Sequence, residues 1–186
     1  MRIAAILLLV ATLSGCQRRV PAPTVEGVQV QDGPDQETWD PKLFLSDQGK
    51  PRLHLRAEHM AYFDRGDSTY MLLSGLTPGA RVHADIFDSQ GDSAAVVMAD
   101  RVVFFDRERR LEARGNVIVT AREGRRVESE QLEWSEFERK VTTEGFARIT
   151  QPDRRLQGYG LVADEDITNV SISNLTGVVM IEDEDS

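Results

Sequence analysis

Apolar and polar residues alternate along the chain from about Pro41 onward. The alternation is plainest in three stretches, which contain Leu53, Leu55 and Ala57; Leu111 and Ala113; and Val141, Thr143, Ala147 and Ile149. A period of two is typical of strands that turn one face toward a core. No stretch shows a sustained helical period, so the sequence predicts an all-β fold with almost no helix.

The strand pattern repeats with a period of about 30 residues, and a regular repeat of this kind determines the fold class. Each unit is a strand, a short polar turn and a second strand, and the units occupy residues 57–75, 99–120, 129–150 and 158–179. Turns of this kind join hairpins. Stacked hairpins predict one antiparallel sheet that curls over itself, as a twisted β-jelly roll, an open barrel or a solenoid-like open β-taco.

A glycine lies near the middle of the second strand of each unit. These glycines are Gly75, Gly115, Gly145 and Gly177. Glycine inside a strand marks a bulge, a bend or a close backbone approach, so four at matching places predict that the sheet bends there. The first and last strands of the stack leave backbone groups unpaired, and these edges, together with the glycines, are candidate contacts for a partner that adds a strand.

The first residues have the pattern of a secretory signal. A basic start precedes an apolar run at residues 3–13, which is too short to span a bilayer and has the length of a signal-peptide core. The following Leu13-Ser14-Gly15-Cys16 resembles the lipobox of bacterial lipoproteins. This resemblance implies that residues 1–15 are a cleaved signal peptide and that Cys16 carries a lipid anchor, whose acyl chains hold the mature protein to a membrane.

Three segments are predicted to follow the signal peptide. Residues 16–40 contain three prolines and two glycines, and they are predicted to form a flexible tether that begins at the lipidated cysteine. Residues 41–181 are predicted to form the β-jelly-roll domain, and residues 182–186 an acidic, solvated tail.

Composition and charge narrow the function classes. Hydrophobic residues make up 40% of the 186 residues and charged residues 28%, which is typical of a globular chain and not of a disordered one. The net charge of −9 disfavours nucleic acid as a partner, because phosphates attract Lys and Arg. The single cysteine excludes an intrachain disulfide and a cysteine-based zinc site. No apolar run reaches the roughly 18 residues that a transmembrane helix needs.

The case for an enzyme is weak. Of the three histidines, His54, His59 and His83, the first two fall on opposite faces of a straight strand, and no nucleophile elbow or phosphate-binding loop is present. We therefore predict no catalytic residue, no metal and no cofactor. Arginine-rich turns at residues 107–110 and 122–126 could meet a phosphate, but neighbouring acids favour a screened, solvated surface.

The succession of strands also resembles a known family. The segments that carry the resemblance are residues 99–106 (ADRVVFFD), 111–117 (LEARGNV), 127–134 (VESEQLEW), 141–145 (VTTEG) and 156–161 (LQGYGL). In this order they are similar to the LptC-like periplasmic bridge proteins of lipopolysaccharide export, whose domain is the OstA-like β-jelly roll. The resemblance covers residues 50–179, which is nearly all of the predicted domain.

The resemblance implies lipopolysaccharide transport by a membrane-anchored periplasmic bridge protein. Its apolar trough would accept lipopolysaccharide from an inner-membrane ABC transporter and pass it to the next bridge protein, an LptA-like partner joined edge to edge. The side chains expected to contact the lipid are Val103, Phe105, Val117, Val119, Leu132, Trp134, Ala147 and Ile149. A bulge would shift this choice by one residue and turn the other face inward. The alternative is a structural or assembly lipoprotein of the cell envelope, in which these side chains close a core and carry no lipid.

The N-terminus departs from the family pattern. Members of this family are usually held by an N-terminal transmembrane helix, whereas this chain has a lipobox at Cys16. The resemblance implies an inner-membrane location. Gln17 stands where an aspartate would favour retention there, so an outer-membrane anchor is the alternative.

Overall fold

The computed structural model describes residues 33–180, and these form thirteen strands. The strands are β1 (Gln36–Trp39), β2 (Lys42–Asp47), β3 (Lys50–Arg56), β4 (His59–Asp64), β5 (Thr69–Ser74), β6 (Val82–Phe87), β7 (Ser93–Ala99), β8 (Arg101–Phe105), β9 (Arg110–Ala121), β10 (Arg126–Ser135), β11 (Lys140–Thr150), β12 (Arg154–Asp164) and β13 (Val170–Met180). Within this part of the chain the only helical element is a single 3-10 turn at Arg122–Gly124. Neighbouring strands are antiparallel, so the predicted all-β fold of stacked hairpins is confirmed.

The strands form two layers, which we call the first and second sheets. The order is β1-β4-β5-β8 in the first sheet and β2-β3-β6-β7 in the second. Both sheets meet at β9, because β8 pairs with residues 110–114 of that strand and β7 pairs with residues 118–121. The long strands β9 to β13 then continue through both layers, so the two layers are halves of one folded sheet.

The sheet folds along a line of irregularities across the middle of the long strands, which we call the bend. The register shifts between Ser129 and Glu133 of β10 and between Thr143 and Phe146 of β11. In β9 the crossing is made by Gly115 and Asn116, whose φ angles are 78° and 48°. Both residues lie in the left-handed region, so they break the regular pleat and direct the second half of β9 into the other layer.

A close approach explains why β9 carries glycine at this crossing. Asp100 lies where the chain passes from β7 to β8, and its backbone N–H donates to the carbonyl oxygen of Gly115 at 3.0 Å. A Cβ atom at position 115 would lie 2.6 Å from Oδ2 of Asp100. The positive φ and the lack of space both require glycine at position 115. The chain thus passes between the two sheets at neighbouring points, at Asp100 between β7 and β8 and at Gly115 in β9.

The first strand begins earlier than the sequence predicts. β1 lies within residues 16–40, which the composition assigns to the tether, and it pairs with β4 along its whole length. Oδ2 of Asp35 also accepts hydrogen bonds from the backbone N–H of Asp64 and from Arg65. The boundary at Pro41 is therefore wrong. The pattern misses β1 because this strand is held by backbone pairing at a sheet edge, where it needs no buried apolar face.

Small apolar side chains fill the space between the two layers. Most are Val, Ala, Leu and Ile on alternate positions, and the largest is Trp134, which is 2% exposed. Burial of each Val, Leu or Ile contributes about 1.5–3 kcal/mol relative to exposure, so this interlayer core is the main stabilising contribution.

We call the side opposite the bend the seam. Hairpin turns of the first sheet reach it at residues 106–109, 136–139 and 165–169. Hairpin turns of the second sheet reach it at residues 48–49, 88–92 and 151–153. Because no strand crosses the seam in the described residues, the layers are joined there by side chains.

Candidate functional site

An apolar opening of about 220 Å³ lies between the layers near the first strands of the domain. It is lined by Leu43, Leu45, Leu53, Leu55, Met71 and Phe104, with Phe44 and Asp106 beside them. β2 and β3 form the wall from the second sheet, and β5 and β8 form the wall from the first. We call this opening the mouth. Its concave, nearly uniformly apolar lining suits a hydrocarbon chain better than a polar ligand.

Six of the eight predicted lipid contacts lie in the interior behind the mouth. They are Val117, Val119, Leu132, Trp134, Ala147 and Ile149, each at most 2% exposed. The register brings them together, since Val119 pairs with Val127 and Val127 pairs with Ile149 across β9, β10 and β11. These side chains form a continuous apolar wall, and their contact with a lipid stays a prediction.

The prediction for β8 is wrong by one residue. Val102 and Phe104 face the interior, and they are 1% and 2% exposed. Val103 and Phe105 therefore lie on the opposite, outer face of the strand. Residues 102–105 are all apolar (VVFF), so the local pattern does not decide which face turns inward. The buried positions are 95, 97 and 99 in β7 but 102 and 104 in β8, because the chain changes sheets at Asp100 and this crossing exchanges the two faces.

The outer face of the first sheet carries a row of aromatic side chains that explains Phe105. The Phe63 and Tyr70 rings stack with centroids 4.8 Å apart, and Tyr70 lies 5.8 Å from Phe105. The Arg110 guanidinium lies 4.0 Å from the Phe105 centroid. These cross-strand pairs stabilise the sheet from outside, so an aromatic residue at position 105 has a structural reason independent of the interior.

The opposite end of the domain is an exposed apolar rim on β13. The register places Leu175 opposite Gly158, and Val178 opposite Leu156. These residues continue the inner face, yet Leu175 and Val178 are about half exposed, since no further strand covers them in the described chain. The rim and the mouth thus expose the inner apolar face at the two ends of the folded sheet.

A cluster of buried charges joins the two layers at the seam. Arg52 of β3 donates to Oε1 of Glu136 at 3.2 Å, to Oε1 of Glu165 at 3.4 Å and to the carbonyl oxygen of Phe87 at 2.7 Å. Arg52 is only 6% exposed, and Glu165 only 4%. Glu165 also accepts a hydrogen bond from Nε1 of Trp134 at 3.1 Å. Each acid also pairs with an arginine of its own layer, Glu136 with Arg109 at 2.6 Å and Glu165 with Arg139 at 3.3 Å. The acids belong to first-sheet turns and Arg52 to the second sheet, so the ion pairs of Arg52 span the seam.

A β-bulge directs Arg52 into the cluster. β2 pairs Leu45 with Leu53 and Ser46 with Pro51, which leaves Arg52 without a partner in the ladder. A bulged residue is released from strict alternation, so a side chain that would face outward can turn toward the seam.

A second contact closes the seam near β13. The side-chain amide of Gln151 donates to the carbonyl oxygens of Ile167 and Thr168 at 3.1 and 3.3 Å. Ile167 is fully buried and has a φ of 55°, a conformation that a β-branched residue rarely adopts. Burial of its side chain between the layers offsets this strain.

The four predicted glycines lie on or beside the bend. Gly75 directly follows β5, and a Cβ atom there would lie 2.5 Å from the carbonyl oxygen of Ala80. Gly145 lies at the register shift of β11, and a Cβ there would meet Oγ1 of Thr143 at 3.3 Å. Gly177 lies beyond the shift in β13, next to the flexible Gln157 side chain. Together with Gly115 they fit the curvature of the sheet, and their contact with a partner stays a prediction.

The connections at the bend are stabilised by a carboxylate. Glu58, between β3 and β4, accepts hydrogen bonds from the backbone N–H groups of Leu76 and Thr77 at 2.7 and 2.9 Å. These N–H donors hold the pKa of Glu58 below its ordinary value of 4.5.

The three histidines lie on outer faces of the sheets. His54 packs between the rings of Phe44 and Phe87, with both centroid distances at 4.6 Å. His59 contacts Glu37 of β1 at 2.9 Å. Residues 33–180 contain no group of three His, Cys, Asp or Glu side chains placed to hold a metal ion.

The sequence does not reveal Arg52, Glu136 or Glu165 as a unit. Charged residues in polar turns are typical of a solvated surface, and the burial of these three follows from the meeting of two sheets at the seam. One weak signal is present: Pro51 cannot donate to a ladder, and proline inside a strand marks an edge or a bulge.

Comparison with known proteins identifies one family. The model for LptC, described as lipopolysaccharide-assembly, LptC-related, matches residues 42–177, which is more than half of the chain. The match spans the strands from β2 into β13, and so includes the mouth, the bend and the seam. A search of curated proteins found no match. Over residues 33–180, no helix has the length and apolar character needed to cross a membrane.

Proposed function

The chain belongs to the LptC-related family of lipopolysaccharide-assembly proteins, and from this premise we propose that it carries lipopolysaccharide between its two apolar ends. The family is one of transport and bridge proteins of the cell envelope and not of enzymes. We propose in particular that acyl chains enter at the mouth, lie along the wall formed by Val119 and its neighbours, and leave at the rim.

The observation that carries this proposal is the exposure of one continuous inner face at both ends. A closed core would cover its apolar residues on all sides, because exposed apolar surface is unfavourable in water. Here the mouth opens between β3 and β8, and the rim exposes Leu175 and Val178 on β13. An amphiphile with several acyl chains matches such a face, since its polar headgroup can stay in water.

We propose that the free edge of β13 receives the next protein of the pathway. The outer edge of this eleven-residue strand pairs with no other strand of the described chain. Its backbone N–H and C=O groups can pair with an added strand, and the rim would then be covered by the partner's apolar face. An LptA-like bridge protein is the partner that fits, and an inner-membrane ABC transporter is the proposed source of the lipid.

We also propose that Cys16 carries the lipid anchor, with the tether holding the domain in the periplasm. Cys16 lies outside the described residues, so the sequence alone supports this part. The inner membrane is the location that the family favours, and Gln17 favours the outer membrane. Mass spectrometry of the purified protein for an acylated Cys16, followed by membrane fractionation, tests both points.

Site-specific photo-crosslinking with purified lipopolysaccharide tests the lipid path. A photoreactive residue at Val119 points into the interior, and one at Ile118 points away from it, on the same strand. We expect a crosslink at Val119 and none at Ile118. A folded protein that crosslinks at neither position would reject the lipid path.

One observation favours a second candidate, an assembly lipoprotein with a closed core. Behind the mouth, interior side chains such as Val82, Val97 and Trp134 are packed to at most 3% exposure. Such a core needs no lipid, and the absence of a crosslink at Val119 would support this alternative.

A further inference from the structure

The two layers of the folded sheet can separate only at the seam. At the bend the backbones of β9 to β13 run from one layer to the other, so the layers are covalently continuous there. At the seam they are joined by the side chains of Arg52 and Gln151. Opening the interior along its length therefore requires these side-chain contacts to break.

The chemistry of the seam is suited to a contact that opens. A buried ion cluster contributes little net stability compared with apolar residues of the same size, because desolvation opposes the attraction of the charges. A purely structural closure would be firmer with apolar side chains. When Arg52, Glu136 and Glu165 separate, water can solvate each of them, so the open state is far less costly than exposing an equal apolar area.

The cluster also lies between the mouth and the interior behind it. Arg52 directly precedes Leu53, which lines the mouth. On its inner side, Glu165 accepts a hydrogen bond from the indole N–H of Trp134, the largest side chain of the core. On its outer side is a groove of about 420 Å³ whose lining carries both signs of charge, with Lys50, Arg109 and Arg139 beside Asp47 and Glu136. An amphiphile at this point would meet apolar side chains on the inner side and a polar, charged groove on the outer side.

The geometry points to a clasp formed by Arg52, Glu136 and Glu165, which must open for an acyl chain to pass from the mouth into the interior around Trp134. While the clasp is closed, the mouth accepts a chain end but the deeper interior stays filled by its own side chains. This inference rests on the proposed transport function and identifies the residues that control passage within it.

The test compares photo-crosslinking to purified lipopolysaccharide at two positions in the full-length protein. Leu45 reports the mouth, and Ile149 on β11 reports the interior toward the rim. The clasp variant is R52M/E136Q/E165Q, in which the amide oxygen introduced by E165Q can still accept the hydrogen bond from Trp134. The control is R56M/D85N, which removes the exposed Arg56–Asp85 ion pair between β3 and β6 without touching the seam.

We expect the clasp variant to raise the initial crosslinking rate at Ile149, relative to that at Leu45, by roughly fivefold or more, because the open state becomes more populated. The control variant should leave this ratio unchanged. A folded clasp variant with an unchanged or lower ratio would overturn the clasp. Crosslinking at neither position, even in the unmodified protein, would instead overturn the transport function. If circular dichroism shows that the triple variant is unfolded, E165Q alone serves for the same comparison, with the same criterion.

Discussion

The bend and the seam are the two long sides of one folded sheet, and they are held in opposite ways. At the bend the layers are joined by the backbone. Gly115 adopts a positive φ, and its carbonyl oxygen accepts a hydrogen bond from the backbone N–H of Asp100. At the seam the layers are joined by side chains, since Arg52 forms ion pairs with two carboxylates of the other layer. One side of the fold is therefore fixed by the path of the backbone, whereas the other can open when side-chain contacts break.

The largest expected effect is at the seam. It distinguishes the loss of Arg52 alone from the loss of Arg52 together with the charges of Glu136 and Glu165. Arg52→Met removes the cross-layer partner of two largely buried carboxylates, which keep only Arg109 and Arg139 of their own layer as partners. We therefore expect a loss of about 3 kcal/mol in the free energy of unfolding, the lower end of what breaking a buried pair costs. R52M/E136Q/E165Q also removes both carboxylate charges and leaves the more exposed Arg109 and Arg139 to be solvated, so it should recover most of that loss. Urea denaturation of both variants measures the difference. Equal stabilities for the single and triple variants would show that Arg109 and Arg139 suffice to neutralise the two carboxylates.

A substitution at the bend should have the next largest effect, and it should not be recoverable by changing side chains nearby. Gly115→Val forces a β-branched residue into a left-handed conformation and against Asp100, at an expected cost of about 2–3 kcal/mol. The matched control is Gly145→Ala, because the nearest atom to its Cβ is Oγ1 of Thr143 at 3.3 Å. We expect this control to change stability by less than about 1 kcal/mol. Thermal unfolding that ranks the two variants in the reverse order would contradict the assigned roles.

The smallest expected effect is a pH dependence at the bend. The folded-state pKa of Glu58 lies below the ordinary value of 4.5, so the unfolded chain binds more protons in the interval between them. The stabilisation by Glu58 is therefore complete above pH 4.5 and is lost as the pH falls through the folded-state pKa. Glu58→Gln should lower the Tm modestly at neutral pH and flatten its decrease in acid. If the Tm of this variant falls with pH as steeply as that of the unmodified protein, the acid sensitivity comes from other carboxylates.

Much of this architecture can be predicted from the sequence, because a hairpin repeat is a local property. The alternation in β9 to β12 identifies the inner face at Val119, Leu132 and Ile149, where each strand keeps its register on either side of one bulge. The repeat period also locates the bend, since glycine at corresponding positions has few uses in a strand. These features depend on residues that are near one another in the chain.

The parts that cannot be predicted depend on distant residues. The four apolar residues 102–105 leave the inward face of β8 undecided, and nothing in the local pattern shows that the chain moves to another layer at Asp100, so Phe105 is wrongly assigned to the interior. The composition places β1 in the tether because an edge strand needs only the backbone of β4. Arg52 and Glu165 are far apart in the sequence, and their burial follows only when β3 and the β12–β13 turn meet across the seam.

The position of β9 in both layers has a consequence for the order of folding. Strands β9 to β12 each pair with the strand that follows, so this half of the chain can form by local contacts, which close quickly. β7 and β8 instead both need β9, which supplies its two halves as their separate partners. When the polypeptide is delivered with its N-terminus first, the two edges presented by β7 and β8 stay open until β9 arrives. That strand is therefore the point at which the early hairpins and the later ones become a single cooperative unit.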